Sequence, residues 1–409
     1  MAKQANLAKQ ANLAQEERLK IDRIEILVTD LPIRIQRLSS SGTYDTGAMG
    51  SLLGKPVMVR IFAEGVVGTG QIRPIAPSHF LPDTGAGMVA AIRDIYAPRM
   101  IGRSIFDLEG MIAEFDRTLP GNVQARAAVD HALHDAMGKA LNQPVYNLLG
   151  GRCYDRIPLE WSVGMHHDIS GMIEECQLAI DKYGIGTLCL KAGHPKGWQE
   201  DVKNFIAVRK VVGETIIIGM DPNTGWSVSE ARQALHALHD YRLDYLEQPV
   251  ARGNFAGLAA IRADSRGVPL MADESLLSLE DAHKLATMQA VDVFCIKLYK
   301  FGGMHNAKKV AAVAEAADIK VNIGGIAAFS QLEAAAGIHF HTAMHPSKVM
   351  PAGEFLFGLG VRGPDPLVPE PTYSIVDGHV EPSSLPGLGV TLDESAITRL
   401  TLVREVVSA

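Results

Sequence analysis

Short apolar segments alternate with amphipathic helical patterns along the chain from Ile157 onward. The segments predicted as strands are Ile157–Val163, Thr187–Lys191, Ile216–Met220, Leu243–Glu247, Pro269–Ala272, Val291–Ile296, Ile319–Ile323 and a weaker one near Lys348–Phe355. The gaps between them carry helical patterns, for example Ser227–Tyr241, Leu279–Gln289 and Met304–Ala317. Strands that each precede a helix over about 200 residues predict a parallel (β/α) barrel. A doubly wound open sheet has the same alternation, and the number of strands does not exclude it.

The first 150 residues have a different rhythm, which predicts a separate α+β unit. Apolar and polar residues alternate in Ile24–Val28 and Val57–Phe62, as expected for antiparallel strands. Helical patterns then run from about residue 87 to Leu149, and the glycines that follow, Gly150 and Gly151, are typical helix-ending residues.

These patterns divide the chain into four parts. We expect an N-terminal tail over residues 1–20, an α+β unit over 21–150, the barrel over 151–363 and a C-terminal segment over 364–409 that packs back on the α+β unit. Residues 2–13 repeat Ala-Lys-Gln-Ala-Asn-Leu twice, and two copies are too few for a solenoid. The tail is therefore expected to have no catalytic role.

The composition excludes several classes of function. The 409 residues are 47% hydrophobic and 21% charged with a net charge of −7, which is typical of a soluble globular protein. No excess of basic residues is available to meet phosphates, so nucleic acid is not an expected partner. The sequence has no apolar segment long enough to span a membrane, and its first residues lack the apolar core of a signal peptide, so secretion is not expected. The four cysteines are widely spaced. We therefore expect free thiols and a cytoplasmic location.

Three acidic residues follow three successive predicted strands at equal intervals. Asp221, Glu247 and Asp273 are separated by 26 residues in each case, close to the length of one βα unit. In a parallel barrel they would lie at one level of the C-terminal rim, where barrel enzymes hold their active sites. Converging carboxylates repel one another, and a hard divalent cation relieves the repulsion, with an all-oxygen set favouring Mg²⁺. Alternatively each acid caps the helix after its strand, but capping does not require equal spacing.

Two lysines end the strands on either side of this set. Lys191 closes the strand before Asp221, and Lys297 closes the strand after Asp273. A lysine at a strand end is often a side chain that reaches for solvent. Beside a cation and away from water, however, its pKa falls and its amine becomes usable as a base. The second and sixth strands lie roughly opposite each other in a barrel, so the two amines would face each other across a bound substrate.

These motifs resemble the enolase superfamily, specifically its mandelate racemase/muconate lactonizing enzyme family and the muconate-lactonizing-like subgroup. The resembling segments cover nearly the whole chain and are Ala125–Lys139 with Pro144 and Leu148–Gly151, Asp221-x-Asn223, Glu247–Pro249, Asp273–Ser275, Ile296–Gly303, Gly353–Phe355 and Pro386–Val390. The resemblance implies an α/β fold, namely a (β/α)7β (modified TIM) barrel with an N-terminal α+β capping domain. It also implies an enzyme that acts on a small-molecule carboxylate, and we expect a homo-oligomer.

The resemblance assigns roles to the residues already singled out. Asp221, Glu247 and Asp273 are implied to bind Mg²⁺, while Lys191 and Lys297 act as acid or base next to the substrate carboxylate, where a fixed cation meets the developing charge. The residues assigned to substrate contact or to support of the ligands are Asn223, Glu274, Lys300 and Glu354, together with Trp161 and Ser162 at the end of the first predicted strand.

One position departs from the family pattern. The second strand ends Cys189-Leu190-Lys191, where the family has Lys-x-Lys. Without the like charge of a first lysine, Lys191 is expected to be more basic and therefore a weaker catalytic base. Lys297 is then expected to be the principal base.

The implied reaction is removal of the proton from the carbon next to a carboxylate. A cycloisomerase, or a racemase or epimerase, is the favoured interpretation because this subgroup uses the paired lysines seen here. A sugar-acid dehydratase and a non-catalytic, metal-keeping binding protein are the alternatives. Substrate choice is assigned to the loops at residues 39–50 and 71–82, with Tyr44, Arg73 and His79 as candidates.

Overall fold

The computed structural model describes residues 19–33, 36–40, 42–45, 52–76, 81–325, 330–350 and 352–409, so residues 1–18 of the predicted tail lie outside the described residues. The strands are Ile21–Thr29, Gln36–Ser39, Gly42–Asp45, Val57–Ala63, Val66–Ile72, Ile157–Pro158, Glu160–Val163, Thr187–Lys191, Ile217–Asp221, Tyr245–Glu247, Leu270–Ala272, Val293–Ile296, Lys320–Ile323, His379–Val380 and Thr401–Ser408. The α-helices are Gly85–Ala91, Ala97–Met100, Leu108–Thr118, Val123–Ala140, Val145–Leu149, Ile169–Gln177, Trp198–Val212, Val228–Ala237, Phe255–Ala263, Leu279–Thr287, Leu298–Phe301, Met304–Ala316, Gln331–Thr342 and Glu394–Leu400. None of these described helices is both long enough and apolar enough to cross a membrane.

Within the described residues, seven strands from Glu160–Val163 to Lys320–Ile323 form one parallel sheet in chain order, and we number them the first to the seventh barrel strand. A further extended segment closes the sheet into a barrel. The N–H of Met350 donates to the carbonyl of Val321 on the seventh strand at 2.7 Å, and the carbonyl of Gly353 accepts from the first strand at 3.0 Å. The predicted (β/α)7β barrel with a capping domain is confirmed, and the open-sheet alternative is set aside.

Side chains on each barrel strand alternate between the interior and the surrounding helices, and those that point inward fill the barrel. Gly219 on the third strand lies against the ring of Tyr245, and a Cβ at this position would come within 2.0 Å of the ring. A separate small apolar cluster inside the barrel contains Cys189, Tyr245, Met271, Val293 and Cys295. The carboxyl ends of the strands lie next to this cluster, and two of its members, Cys189 and Cys295, carry thiols.

The N-terminal unit has a core of its own. Its described antiparallel sheet has the strand order Thr401–Ser408, Ile21–Thr29, Val57–Ala63 and Val66–Ile72. The helix Val123–Ala140 packs on this sheet and is buried along most of its length. Asp135 of this helix accepts from the N–H groups of Thr69 and Leu388, both at 2.8 Å. One buried carboxylate therefore joins the sheet, the helix and the C-terminal segment.

The first predicted barrel strand, Ile157–Val163, is shorter in the structure. Its beginning, Ile157–Pro158, pairs antiparallel with His379–Val380, and only Glu160–Val163 joins the barrel sheet. Pro158 has no N–H to donate, so this stretch cannot form a continuous ladder of hydrogen bonds.

Candidate active site

The three predicted ligand carboxylates come together at the carboxyl ends of the barrel strands. Asp221 and Glu247 are the last residues of the third and fourth strands, and Asp273 directly follows the fifth. All three are buried, with 0%, 6% and 1% of their surface exposed. A carboxylate oxygen of Glu247 lies within 4.8 Å of an oxygen of Asp221 and likewise of an oxygen of Asp273. Equal spacing in the sequence thus brings the three carboxylates to one end of the barrel, with Glu247 close to both of the others.

The two predicted catalytic lysines each contact one outer carboxylate of the cluster. Lys191 ends the second strand and donates to Oδ2 of Asp221, while Lys297 follows the sixth strand and donates to Oδ2 of Asp273 at 2.6 Å. Their side chains are 20% and 10% exposed, so each keeps some contact with solvent. The stem of Lys297 packs on Gly325, where a Cβ would lie 2.6 Å from the lysine Cδ. The lysines therefore flank the cluster from its two ends.

Crowding of the carboxylates makes the cluster a candidate cation site. Burial, and next the charge of Asp221, raises the pKa of Glu247 well above its ordinary value. A buried carboxylate between two others is stabilised in its ionised form only by nearby positive charge. The oxygens of Asp221, Glu247 and Asp273 are the donors that Mg²⁺ prefers, so the residues present fit this ion.

The lysines are strongly basic in this arrangement. Burial disfavours the charge of Lys191, but Asp221 favours it and the pKa of the amine is raised well above its ordinary value. Lys297 shows the same balance of burial against the charge of Asp273, and its pKa is also raised. The expected difference in basicity between the two lysines stays a prediction.

Lys300 supports a ligand from below and does not face the rim. It is fully buried, and its Nζ donates to Oδ1 of Asp273 at 2.6 Å. The same amine donates to the backbone carbonyls of Asp273 and Cys295 at 2.9 and 2.8 Å. Lys300 therefore fixes the position and the ionised state of Asp273.

Polar side chains also hold the other ligand strands in place. The N–H of Asn223 donates to Oδ1 of Asp221 at 2.8 Å, and its Nδ2 donates to Oε1 of Glu274 at 3.2 Å. Gln248, which sequence reasoning missed as a site residue, accepts from the N–H groups of Asp273 and Ser275 at 3.0 Å in each case. Its position directly after Glu247 was the available signal.

The first barrel strand separates two residues that were predicted together. Trp161 faces the helices, and its Nε1 donates to Oε1 of Glu175 at 3.0 Å. Ser162 is buried on the opposite face, in register with Cys189 of the second strand. The structure therefore places Trp161 outside the carboxylate cluster, since neighbouring residues of a strand point to opposite faces.

Two further carboxyl groups approach the barrel interior. Glu354 is half-buried on the closing segment, next to Gly324. Glu160, which sequence reasoning missed, is 4% exposed and accepts from the hydroxyl of Tyr245 at 2.9 Å. Burial, and next the charge of Glu354, raises the pKa of Glu160 to about 8. A single charged residue within an apolar predicted strand was the signal for it.

The N-terminal unit reaches the same rim through the hairpin that contains Leu38 and Ser40. Leu38 forms a backbone bridge with Met165, which follows the first barrel strand. The hydroxyl of Ser40 donates to the carbonyl of Asn223 beyond the third strand at 2.9 Å. This hairpin therefore covers part of the rim beside Asp221.

The predicted substrate-contacting loops are described only in part. His79 and the side chain of Tyr44 lie outside the described residues. Arg73 is 5% exposed, and its Nε donates to the carbonyl of Gly54 at 2.6 Å. Arg73 thus holds a neighbouring loop in place.

Comparison with known proteins matches both parts of this architecture. Residues 47–150 match the model of the mandelate racemase / muconate lactonizing enzyme N-terminal domain, and residues 171–396 match the enolase C-terminal domain-like model. Muconate cycloisomerase 1-1 of Acinetobacter lwoffii is 32% identical over 385 residues, which cover 93% of this chain and 96% of that protein. The N-succinyl-L-Arg/Lys racemase of Bacillus cereus is 31% identical over 395 residues, which cover 95% and 100%.

A solved structure supports the same relationship. The muconate lactonizing enzyme of Pseudomonas fluorescens, complexed with muconolactone, superposes with a TM-score of 0.85 at 28% identity and covers 94% of this chain and 100% of that one. A capped barrel with these relatives defines an isomerase of the enolase superfamily. The chain belongs to the mandelate racemase/muconate lactonizing enzyme family, as its motifs predicted. The alternatives of a dehydratase and of a non-catalytic binding protein give way to an isomerase.

Proposed function

We propose that the protein moves a proton to or from the carbon next to a substrate carboxylate with the help of Mg²⁺, as a cycloisomerase of the muconate type. The proton leaves this carbon when the lactone opens and is delivered to it when a carboxylate oxygen adds to the double bond and the lactone forms. The observation that carries the proposal is the pair of lysines on the outer carboxylates of the cluster, Lys191 on Asp221 and Lys297 on Asp273. Such a pair would provide one proton-transfer group at each end of the centre that would hold the substrate carboxylate.

Each group has a distinct role. Asp221, Glu247 and Asp273 would hold the cation. When bound, Mg²⁺ would supply positive charge to the substrate carboxylate, where negative charge builds as the proton leaves. Lys297 is the group that takes the proton from this carbon or delivers it. The missing side chain of Gly325 leaves room for its stem, because a Cβ there would lie 2.6 Å from the Cδ of Lys297. Lys191 returns a proton or steadies the developing charge from the other end.

A racemase is the second candidate, and one observation favours it. The relatives include an N-succinyl-L-Arg/Lys racemase that matches over 95% of this chain. Lysines at both ends of the carboxylate cluster suit a reaction in which the proton leaves one face of the carbon and returns on the other.

The experiment separates the two reactions and tests the lysines. The protein is incubated with Mg²⁺ in D₂O with muconate, chloromuconate or either enantiomer of an N-succinyl amino acid, and products are followed by NMR. A lactone product identifies cycloisomerisation, and loss of the α-proton signal identifies racemisation. A chelator should abolish either activity and Mg²⁺ should restore it.

Lys297→Met should lower the rate by about 10²–10⁴-fold, the usual contribution of a positioned base. Lys320→Met is the matched control, because Lys320 is exposed at the start of the seventh strand, at the far end of the barrel. Turnover that survives both the chelator and Lys297→Met would refute the proposed chemistry.

We also propose a cytoplasmic location and a homo-oligomeric assembly. All four cysteines are free thiols, as expected in a reducing compartment. Leu402 and Val406 are each 51% exposed on the outer strand of the N-terminal sheet, where a second copy could cover them. Sedimentation velocity tests the assembly, and a purely monomeric protein at micromolar concentration would contradict it.

A further inference from the structure

Two buried thiols lie directly beside the carboxylate cluster. Cys189 and Cys295 are each 2% exposed. The Cys189 thiol donates to Oε2 of Glu247 at 3.7 Å, and ligand atoms of Cys189, Asp221 and Glu247 all lie within 4.8 Å of one another. The ligand atoms of Glu247, Asp273 and Cys295 form a second group within the same limit. The centre therefore offers sulfur as well as oxygen donors.

The separation between thiol and carboxylate fits a tetrahedral ion. With Zn–S near 2.3 Å and Zn–O near 2.0–2.2 Å, tetrahedral angles place sulfur and oxygen about 3.5 Å apart. The distance between Cys189 Sγ and Glu247 Oε2 is 3.7 Å, so little movement is needed. Mg²⁺ is bound by oxygen alone, whereas Zn²⁺ and Co²⁺ gain from a thiolate ligand.

The surrounding charge favours Cys189 over Cys295 as the ligand. Both oxygens of Asp273 already receive ammonium groups, from Lys297 and from the fully buried Lys300. On the Cys189 side, Lys191 is the one ammonium group among the described residues that contacts Asp221.

Lys191 is also the easier of these amines to displace. Its side chain is 20% exposed, compared with 10% for Lys297 and 0% for Lys300. A cation that enters beside Cys189 therefore meets less positive charge, and the amine it meets can turn to solvent.

We propose that Cys189 is an additional metal ligand, so that the centre binds a thiophilic divalent cation such as Zn²⁺ or Co²⁺ through Cys189, Asp221 and Glu247. Binding breaks the S–H bond, forms a sulfur–metal bond and releases one proton to water. The sulfur ligand raises the affinity for Zn²⁺ and Co²⁺ relative to Mg²⁺. The inference shares the cation site of the proposed function but does not depend on the reaction.

The test uses Co²⁺ as the probe and absorption spectroscopy as the readout, without any substrate. The whole chain carries Cys153→Ser, because Cys153 is the exposed cysteine and would bind metal by itself. Co²⁺ bound by a thiolate shows a sulfur-to-metal charge-transfer band in the near ultraviolet, and oxygen ligands do not. Cys189→Ser is compared with Cys295→Ser, which alters the other buried thiol of the centre.

We expect the band in the parent protein and in Cys295→Ser, and its loss in Cys189→Ser. Zn²⁺ affinity should fall by about tenfold or more in Cys189→Ser, by analogy with the loss of residues that support metal ligands, while Mg²⁺ affinity stays constant. Thermal unfolding of each variant shows whether the fold is kept, and Cys189→Ala replaces Cys189→Ser if it is not.

Two outcomes would overturn the inference: Co²⁺ binding without the band, or a band that depends on Cys295. A protein that shows the band but converts no carboxylate would refute the proposed function and leave this inference standing. A protein that is active with Mg²⁺ but shows no band with Co²⁺ would refute this inference and leave the proposed function standing.

Discussion

Lys297 and Lys300 contact the two oxygens of the Asp273 carboxylate. We expect removal of Lys300 to cost mainly stability and removal of Lys297 to cost mainly catalysis. Lys300 donates to Oδ1 of Asp273 and to two backbone carbonyls from a fully buried position. Lys297 donates to Oδ2 of the same residue at 2.6 Å, with its side chain 10% exposed. Methionine has nearly the length of lysine without its charge, so Lys300→Met and Lys297→Met form a matched pair.

The magnitudes follow from these contacts. Lys300→Met leaves a buried carboxylate and two carbonyls without their donor, and breaking a buried ion pair from one side costs about 3–5 kcal/mol. Lys297→Met removes one charge-assisted hydrogen bond at the rim, a loss of about 1.5 kcal/mol. The loss of catalytic rate should be larger for Lys297→Met than for Lys300→Met, since only Lys297 is proposed to exchange a proton with the substrate.

The assay is urea unfolding at pH 7 followed by circular dichroism, with and without Mg²⁺, alongside α-proton exchange in D₂O. We expect the larger loss of stability for Lys300→Met, partly restored by Mg²⁺, and the larger loss of exchange for Lys297→Met. Equal stability costs, or a greater cost for Lys297→Met, would show that Lys300 does not support Asp273 as argued.

Three further predictions concern single side chains. Burial raises the pKa of Glu160 from 4.5 to about 8, so the folded protein loses stability as the pH rises from 4.5 to about 8, by about 1.4 kcal/mol per pH unit. Glu160→Gln should remove this pH dependence, which urea unfolding across that range measures. Trp161→Phe removes the donor to Glu175, so thermal unfolding should show a loss of about 1 kcal/mol with an unchanged kcat, and a large fall in kcat would place Trp161 in the site after all. Gly325→Ala introduces a Cβ that would lie 2.6 Å from the Cδ of Lys297; kcat should fall by about 10²-fold with cation affinity unchanged, and a normal kcat would show that the lysine is free to move.

The parts of the site that the sequence predicts are those fixed by the repeat of the barrel. Asp221, Glu247 and Asp273 end strands one βα unit apart, so equal spacing is enough to bring them to one rim. Lys191 and Lys297 follow from the same logic, because each lies where its strand ends.

The parts that sequence reasoning missed depend on which face of a strand points inward. Barrel strands are buried on both faces, so their apolar pattern does not distinguish the interior from the helix side. Trp161 was therefore grouped with Ser162, although neighbouring residues face opposite ways, and Glu160 was overlooked. Lys300 was assigned by resemblance to substrate contact or to support of the ligands. Which of the two applies depends on how the short helix Leu298–Phe301 turns back beneath Asp273, and no local pattern reports that path.

Synthesis on the ribosome delivers the strands of the N-terminal sheet at very different times. Arg404 donates to Glu25 across the pair formed by Thr401–Ser408 and Ile21–Thr29, although 379 residues separate the two side chains in the chain. At about 5–20 residues per second, roughly 20–75 s pass between the emergence of the two strands. Throughout that interval one edge of Ile21–Thr29 has no permanent partner, and its free N–H and C=O groups are open to strands of other nascent chains. The rate of translation therefore sets how long each new molecule is at risk of aggregation.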